Sequence, residues 1–155
     1  YGFNLEITYK NFELGLDFQG QYGNKIFNAK EVVRPDPYNF EARAFDRWTP
    51  DNPSNTVPRS SFGGYNYTPS DYFIQDGSFF RLRNASIAYN VPSVIASKLR
   101  MKSARVVLRG TNIFTASRFT GYSPEIGSAN VLESNIDTGI YPITSIYTLG
   151  LNATF

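Results

Sequence analysis

The chain contains no cysteine and no histidine, and only one methionine and one tryptophan in 155 residues. The first two absences remove thiol nucleophiles, disulfides, zinc fingers, Ser-His-Asp triads and any histidine base. A sequence without cysteine suits any redox compartment, so cysteine usage is silent on location. Charge is scarce as well: Asp, Glu, Lys and Arg make up 18%, below the roughly 25% of an average soluble protein. The balance of 15 cations against 13 anions leaves +2, too small to imply a polyanion partner. Nowhere do about 18 apolar residues run together, which excludes a transmembrane helix but leaves a membrane strand open, because its signal is alternation. The opening Tyr1-Gly2-Phe3-Asn4 has no basic n-region and no apolar h-region, so no signal peptide is expected in it. It also lacks a Met start, and the expectation is a piece of a longer chain.

Aromatic residues are what the chain has in excess, 16% with 11 Tyr and 13 Phe, and they fall in alternating runs. Phe3, Leu5, Ile7 and Tyr9 alternate with Asn4, Glu6, Thr8 and Lys10. After Lys10-Asn11 come Phe12, Leu14, Leu16 and Phe18, interleaved with Glu13, Gly15, Asp17 and Gln19. Strict period-2 alternation across a very short turn reads as a hairpin. Similar patterns give five strands, near 3–10, 12–22, 79–91, 104–114 and 146–155, antiparallel and sequentially adjacent. One short helical turn is expected at 93–99.

The connections alternate short and long: about two residues, then 23–78, then about a dozen, then 115–146. Six of nine prolines (Pro35, Pro37, Pro50, Pro53, Pro58 and Pro69) lie in the first long one, and none falls within a strand, as ladder hydrogen bonding demands. Structureless loops of that length argue against a compact soluble domain. Outer-membrane barrels, with short periplasmic turns and long extracellular loops, require them. A two-sheet sandwich gives the same alternation. Aromatics near strand ends (Tyr9, Phe12, Tyr22, Tyr89, Phe114, Tyr147 and Phe155) favour the membrane girdle instead. Five strands cannot close a barrel, and open edges do not survive in lipid. The fold class is therefore all-β: about five antiparallel meander strands of a larger transmembrane barrel with long extracellular loops. Leu14, Leu16, Phe18, Leu149 and Leu151 are expected to face lipid; Glu13, Asp17, Asn152 and Thr154 are expected to face the lumen. Arg81 and Arg83 break the pattern, sharing parity with Ala85, Ile87 and Tyr89. Either a bulge near Asn84 switches faces or the upper strand stands clear of the membrane, and the second is preferred.

Several segments then take on a family wording. Ser70-Asp71-Tyr72-Phe73-Ile74-Gln75-Asp76-Gly77-Ser78-Phe79-Phe80-Arg81-Leu82-Arg83-Asn84 resembles a signature stretch of SusC/RagA-type TonB-dependent outer-membrane proteins. So do Tyr89-Asn90-Val91-Pro92, the run from Val106 to Thr115 containing Gly110-Thr111-Asn112-Ile113-Phe114, and Tyr122-Ser123-Pro124-Glu125. Trp48-Thr49-Pro50-Asp51-Asn52-Pro53, Pro58-Arg59, Tyr141-Pro142 and the finish from Leu149 to Phe155 fit too. Ser145 stands where the family commonly has Arg, and Ile113 where it has Leu. The resemblance covers residues 1–155. It implies a barrel of 22 strands whose plug and TonB-binding motif lie outside this stretch. Residues 1–155 would be its C-terminal segment, in the outer membrane of a Gram-negative bacterium of the Bacteroidota. Implied partners are a SusD-like surface lipoprotein, the TonB complex, the barrel-assembly machinery, lipid and lipopolysaccharide, and a glycan or peptide substrate, with a dimer of transporter–lipoprotein pairs as the assembly. The implied role is TonB-dependent import of oligomeric nutrients. A non-transporting surface protein on the same barrel, for adhesion or assembly, stays open because fold does not fix function.

No enzyme signature accompanies these strands: there is no G-x-S-x-G, P-loop, H-E-x-x-H or paired-carboxylate motif. Asp71 and Asp76 suit turn and capping roles, and the stretch 46–55 lacks EF-hand spacing. No cofactor or metal is expected. From Gly77 to Tyr122 there are eight cations and no acid, a pattern that can bind single-stranded nucleic acid. Arg105 and Arg109 share the lumen parity while Lys98, Arg100 and Lys102 fall in a periplasmic turn, so nucleic acid is not expected as a partner. Trp48, Tyr65, Tyr67 and Tyr72 are the candidate substrate or lid contacts, since amphipathic rings stack on sugars and grip peptides. Thr148, Gly150, Ala153 and Phe155 look like the terminal assembly signal of outer-membrane proteins, an amphipathic strand offered for strand addition.

Overall fold

The computed structural model describes residues 1–33, 42–61, 64–127 and 131–155; Pro35 and Pro37 lie outside them. The strands are β1 (Gly2–Tyr9), β2 (Phe12–Gln21), β3 (Lys25–Phe27), β4 (Ile74–Asp76), β5 (Phe79–Asn90), β6 (Ser103–Ser117) and β7 (Ile146–Thr154). Two short helices, α1 (Ala29–Val33) and α2 (Ser93–Lys98), stand among them. The contacts divide the chain into two compact units, one of residues 1–24, 76–124 and 141–155, the other of residues 25–75 and 125–140.

The first unit is a five-stranded sheet in the order β1-β2-β5-β6-β7, antiparallel at each step. These are the expected strands in the expected order. Their alternation sorts side chains onto two faces, because residues paired across the ladder point the same way. One face carries the rows Ile7-Leu14-Ile87-Leu108-Leu149 and Leu5-Leu16-Ala85-Gly110-Tyr147. It stays open: Leu149 is 73% and Leu151 71% exposed. In water so large an apolar sheet face would be a liability.

The structure overturns the preferred placement of Arg81 and Arg83. Asp17 pairs with Asn84 but Phe18 pairs with Leu82, so Arg83 is an extra residue bulged out of β5. Against β6 the pairing passes from Leu82–Phe114 to Asn84–Thr111, with Asn112 in the left-handed region at φ 53. A one-residue insertion inverts the parity of everything beyond it. Hence Phe80 and Leu82 join the apolar face beside Phe18, while Arg81 turns to the polar face and donates from Nε to Thr115 Oγ1 at 2.9 Å. The upper strand stays in register with the membrane pattern. β6 also runs to Ser117, past the expected 114, because Thr115, Ala116 and Ser117 pair with Arg81, Phe80 and Phe79.

The second unit corrects the reading of 23–78 as a structureless loop. β3 and β4 form a two-stranded sheet, and the segment 125–140 adds to it through a parallel bridge between Phe27 and Ile136. Phe27 N donates to Asn135 O at 2.9 Å, and Asp137 N to Phe27 O at 2.9 Å. Ile26, Phe73 and Ile126 are buried, and the Phe73 ring meets those of Phe27 and Tyr72 edge-on. Asp137, 1% exposed, receives Lys30 Nζ at 3.1 Å and the backbone N–H groups of Gly139 and Ile140. Such a carboxylate is tolerable only because its oxygens are so fully engaged. The two long connections of the chain thus fold together as one body.

Candidate functional site

On the polar face of the sheet the charges are organised into bridges between strands. Glu13 on β2 accepts from Asn90 Nδ2 on β5 and Arg105 Nη2 on β6, both at 2.6 Å. Asp17 accepts from Asn84 Nδ2 at 3.1 Å, and Asn84 Oδ1 accepts from Thr111 Oγ1 at 3.3 Å. Gln19 Oε1 accepts from Arg83 Nη1 at 3.0 Å. Between these ties lies a recess of about 300 Å³ floored by Gly15 and Ser86. A Cβ on Gly15 would come within 2.9 Å of Ser86 Oγ; the missing side chain leaves the hollow. Glu6 and Arg109 border it on the same ladder row. Three strand spacings, about 14 Å, separate their backbones, too far for them to neutralise each other directly.

On the apolar face, aromatic side chains gather in two belts. Phe3, Phe18 and Phe80 stack at centroid distances of 6.2 and 5.4 Å, with Phe114 on the same row as Phe18. Tyr9, Phe12 and Tyr89 form the second belt, with the Phe12 and Tyr89 rings 4.7 Å apart. Six residues separate Phe3 from Tyr9 on β1, about 20 Å along the strand. That approaches the apolar band of roughly 25 Å, flanked by aromatic girdles, of membrane barrels. Phe3 and Phe18 pair directly across the first hairpin, whereas Phe80 joins them only through the bulge, which leaves no mark in the alternation.

In the loop unit the four candidate contact residues part company. Tyr65 and Tyr72 border one cleft of about 370 Å³, together with Asn55, Thr68 and Ser70. Tyr65 is 91% exposed, whereas Tyr72 is half-buried with Arg43 4.9 Å over its ring. Trp48 and Tyr67 do not line that cleft; Trp48 donates its backbone N–H to Val57 O at 3.1 Å. The residues of the terminal motif lie on or beside β7. Thr148 pairs with Arg109, Gly150 with Val107 and Ala153 with Ala104, and Phe155 follows the strand, exposed. β1 and β7 are the two edges of the sheet.

Among the described residues no cluster of three or more acidic side chains could hold a metal ion, and no helix is long and apolar enough to cross a membrane. No family model matches the chain. It is 35% identical over its whole length to TonB-dependent receptor P26 of Formosa agariphila, covering 17% of that protein. To TonB-dependent receptor SusC of Bacteroides thetaiotaomicron it is 24% identical, with 99% of this chain and 15% of that one aligned. The solved RagAB peptide importer in its open-open state superposes on 99% of this chain and 17% of its own, with a TM-score of 0.77 and 25% identity.

The chain corresponds to the C-terminal part of a SusC/RagA-type TonB-dependent receptor barrel. It spans 15–17% of the length of these curated relatives. For this stretch of an outer-membrane barrel the open apolar face is the lipid face, and the bridged polar face lines the lumen. Leu14, Leu16, Phe18, Leu149 and Leu151 share the first; Glu13, Asp17, Asn152 and Thr154 share the second.

Proposed function

We propose that the complete protein imports an oligomeric nutrient across the outer membrane, driven by TonB and lidded by a SusD-like surface lipoprotein. The observation that carries this reading is the whole-chain match to TonB-dependent receptors, joined to the superposition of all but a few residues on a peptide importer. Residues 1–155 then supply five adjacent strands in the C-terminal part of the barrel wall and two long surface loops, with the short turns toward the periplasm. Cargo or lid meets the loop unit at Tyr65 and Tyr72, whose rings border the cleft of about 370 Å³, and at Trp48 and Tyr67 beside it. Thr148, Gly150, Ala153 and Phe155 serve insertion, presenting the edge strand β7 to the assembly machinery.

Growth on single glycans and peptides tests the reading. Wild type, a Tyr65→Ala/Tyr72→Ala variant and a TonB-deficient strain are compared on each cargo. Import predicts one cargo on which the TonB-deficient strain fails and the double variant lags with its barrel normally inserted. Equal growth of all three on every cargo would favour the adhesion or assembly role.

A further inference from the structure

The end of the sheet that carries the short turns joins an aromatic belt to a cluster of exposed cations. The lowest outward row is the belt Tyr9-Phe12-Tyr89-Val106-Leu151, which marks where the lipid-facing surface meets the headgroups. Just beyond it stand Lys10 in the first turn and Lys98, Arg100 and Lys102 in the turn containing α2, all exposed. None has a carboxylate partner among the described residues. The nearby acid, Glu13, is already committed to Arg105 and Asn90, and residues 77–124 contain neither Asp nor Glu. On α2 itself Ala96 is buried, while Val94, Ile95 and Leu99 are 68%, 48% and 61% exposed.

The backbone supplies a second, independent observation. Four non-glycine residues among those described have positive φ. Two are Asn112 and Asn135, a residue type that tolerates the left-handed region. The other two are Lys10 at φ 53 and Arg100 at φ 59, one in each short turn. Arg100 follows the C-terminus of α2, donating its N–H to Ser97 O at 3.0 Å while Met101 N donates to Ala96 O at 2.9 Å. This is the helix-ending motif in which glycine is the common choice. Both turns therefore place a cation where glycine or asparagine would be less strained. Strain retained at an exposed position points to use of the side chain.

We propose that this turn surface binds the anionic phospholipids of the inner leaflet: the four cations take the phosphodiester headgroups, and Val94, Ile95 and Leu99 rest among the upper acyl chains. Clusters of four or more Lys and Arg beside a membrane segment attract anionic lipid, and an apolar face beside them adds to the affinity. The assignment to the inner leaflet rests on the orientation proposed above; the binding of acidic lipid does not.

The full-length protein in neutral detergent, titrated with phosphatidylglycerol, phosphatidylethanolamine or lipid A and read by native mass spectrometry, tests this. Wild type should retain phosphatidylglycerol over phosphatidylethanolamine, and each cation removed should cost about fivefold in affinity for the acidic lipid. The decisive variant is Lys10→Asn/Arg100→Gly, because both changes relax the turns and leave folding intact. A drop in phosphatidylglycerol retention with thermal stability unchanged or raised supports the proposal. Equal retention of the two phospholipids by wild type, or a double variant that binds as wild type does, overturns it. A preference for lipid A over phosphatidylglycerol would overturn the inner-leaflet assignment without touching the import reading.

Discussion

Arg83 donates from Nη1 to Gln19 Oε1 at 3.0 Å, although strand alternation alone would put the two on opposite faces. The bond exists because Arg83 is the inserted residue of the β5 bulge. Its extended side chain can then reach a lumen-facing partner, and the rest of β5 above it is re-phased. Arg81 follows to the polar face, buried to 3% over the Phe79 ring at 5.2 Å.

Removing the side chain and removing the residue should therefore both be mild. Arg83→Ala forfeits one exposed hydrogen bond, worth about 1 kcal/mol. Deleting residue 83 would join Leu82 directly to Asn84, which already lie on opposite faces. Phe80 and Leu82 then stay on the apolar face, Arg81 stays on the polar one, and the β2–β5 ladder closes without its bulge. Unfolding of the full-length barrel in lipid vesicles should show the two variants within about 1 kcal/mol of each other. A far weaker deletion variant would contradict Arg83 as the inserted residue.

The facing of β2 is open to the same measurement. Leu16→Arg places a cation on the lipid side of the middle row and should cost about 2–4 kcal/mol. Asp17→Arg, one residue on, chiefly loses the Asn84 hydrogen bond, about 1 kcal/mol. Equal losses at the two positions would contradict the assignment of faces.

The Glu13–Arg105 pair is 2.6 Å long, yet its side chains are 37% and 44% exposed. A double-mutant cycle should return a coupling of only about 0.2–1 kcal/mol, shrinking as salt is raised. Its role is to hold β2 to β6 across β5, so Glu13→Gln should be milder than Glu13→Ala.

The loop unit has its own linchpin. Asp137→Ala would leave Lys30 facing an emptied site and free two backbone N–H groups, a loss of about 3–5 kcal/mol for a broken buried pair. The expected outcome is local: faster protease cleavage within residues 25–75 on intact cells, with the amount of inserted barrel unchanged.

Phe155→Ala in the full-length protein should lower outer-membrane levels more than Leu132→Ala, an exposed loop change of similar size. Pulse-chase followed by membrane fractionation would compare them, and equal levels would place the assembly signal elsewhere.

The sequence alone determined the five strands, their order and their two faces, because each side-chain alternation such as Leu14-Gly15-Leu16-Asp17 is a local property with period two. Motif wording identified the kind of barrel. It could also place Tyr65 and Tyr72 in a loop, but not join them at one cleft while leaving Trp48 and Tyr67 off its wall. Only the tertiary structure decided the register at Arg83, since a bulge is visible solely as a mismatch with the neighbouring strands. Likewise β3 and β4, three residues each, are too short to show a period. They exist because the loop core forms around Ile26 and Phe73 and residues 135–137 bond to Phe27, contacts that span more than a hundred residues and leave no local trace.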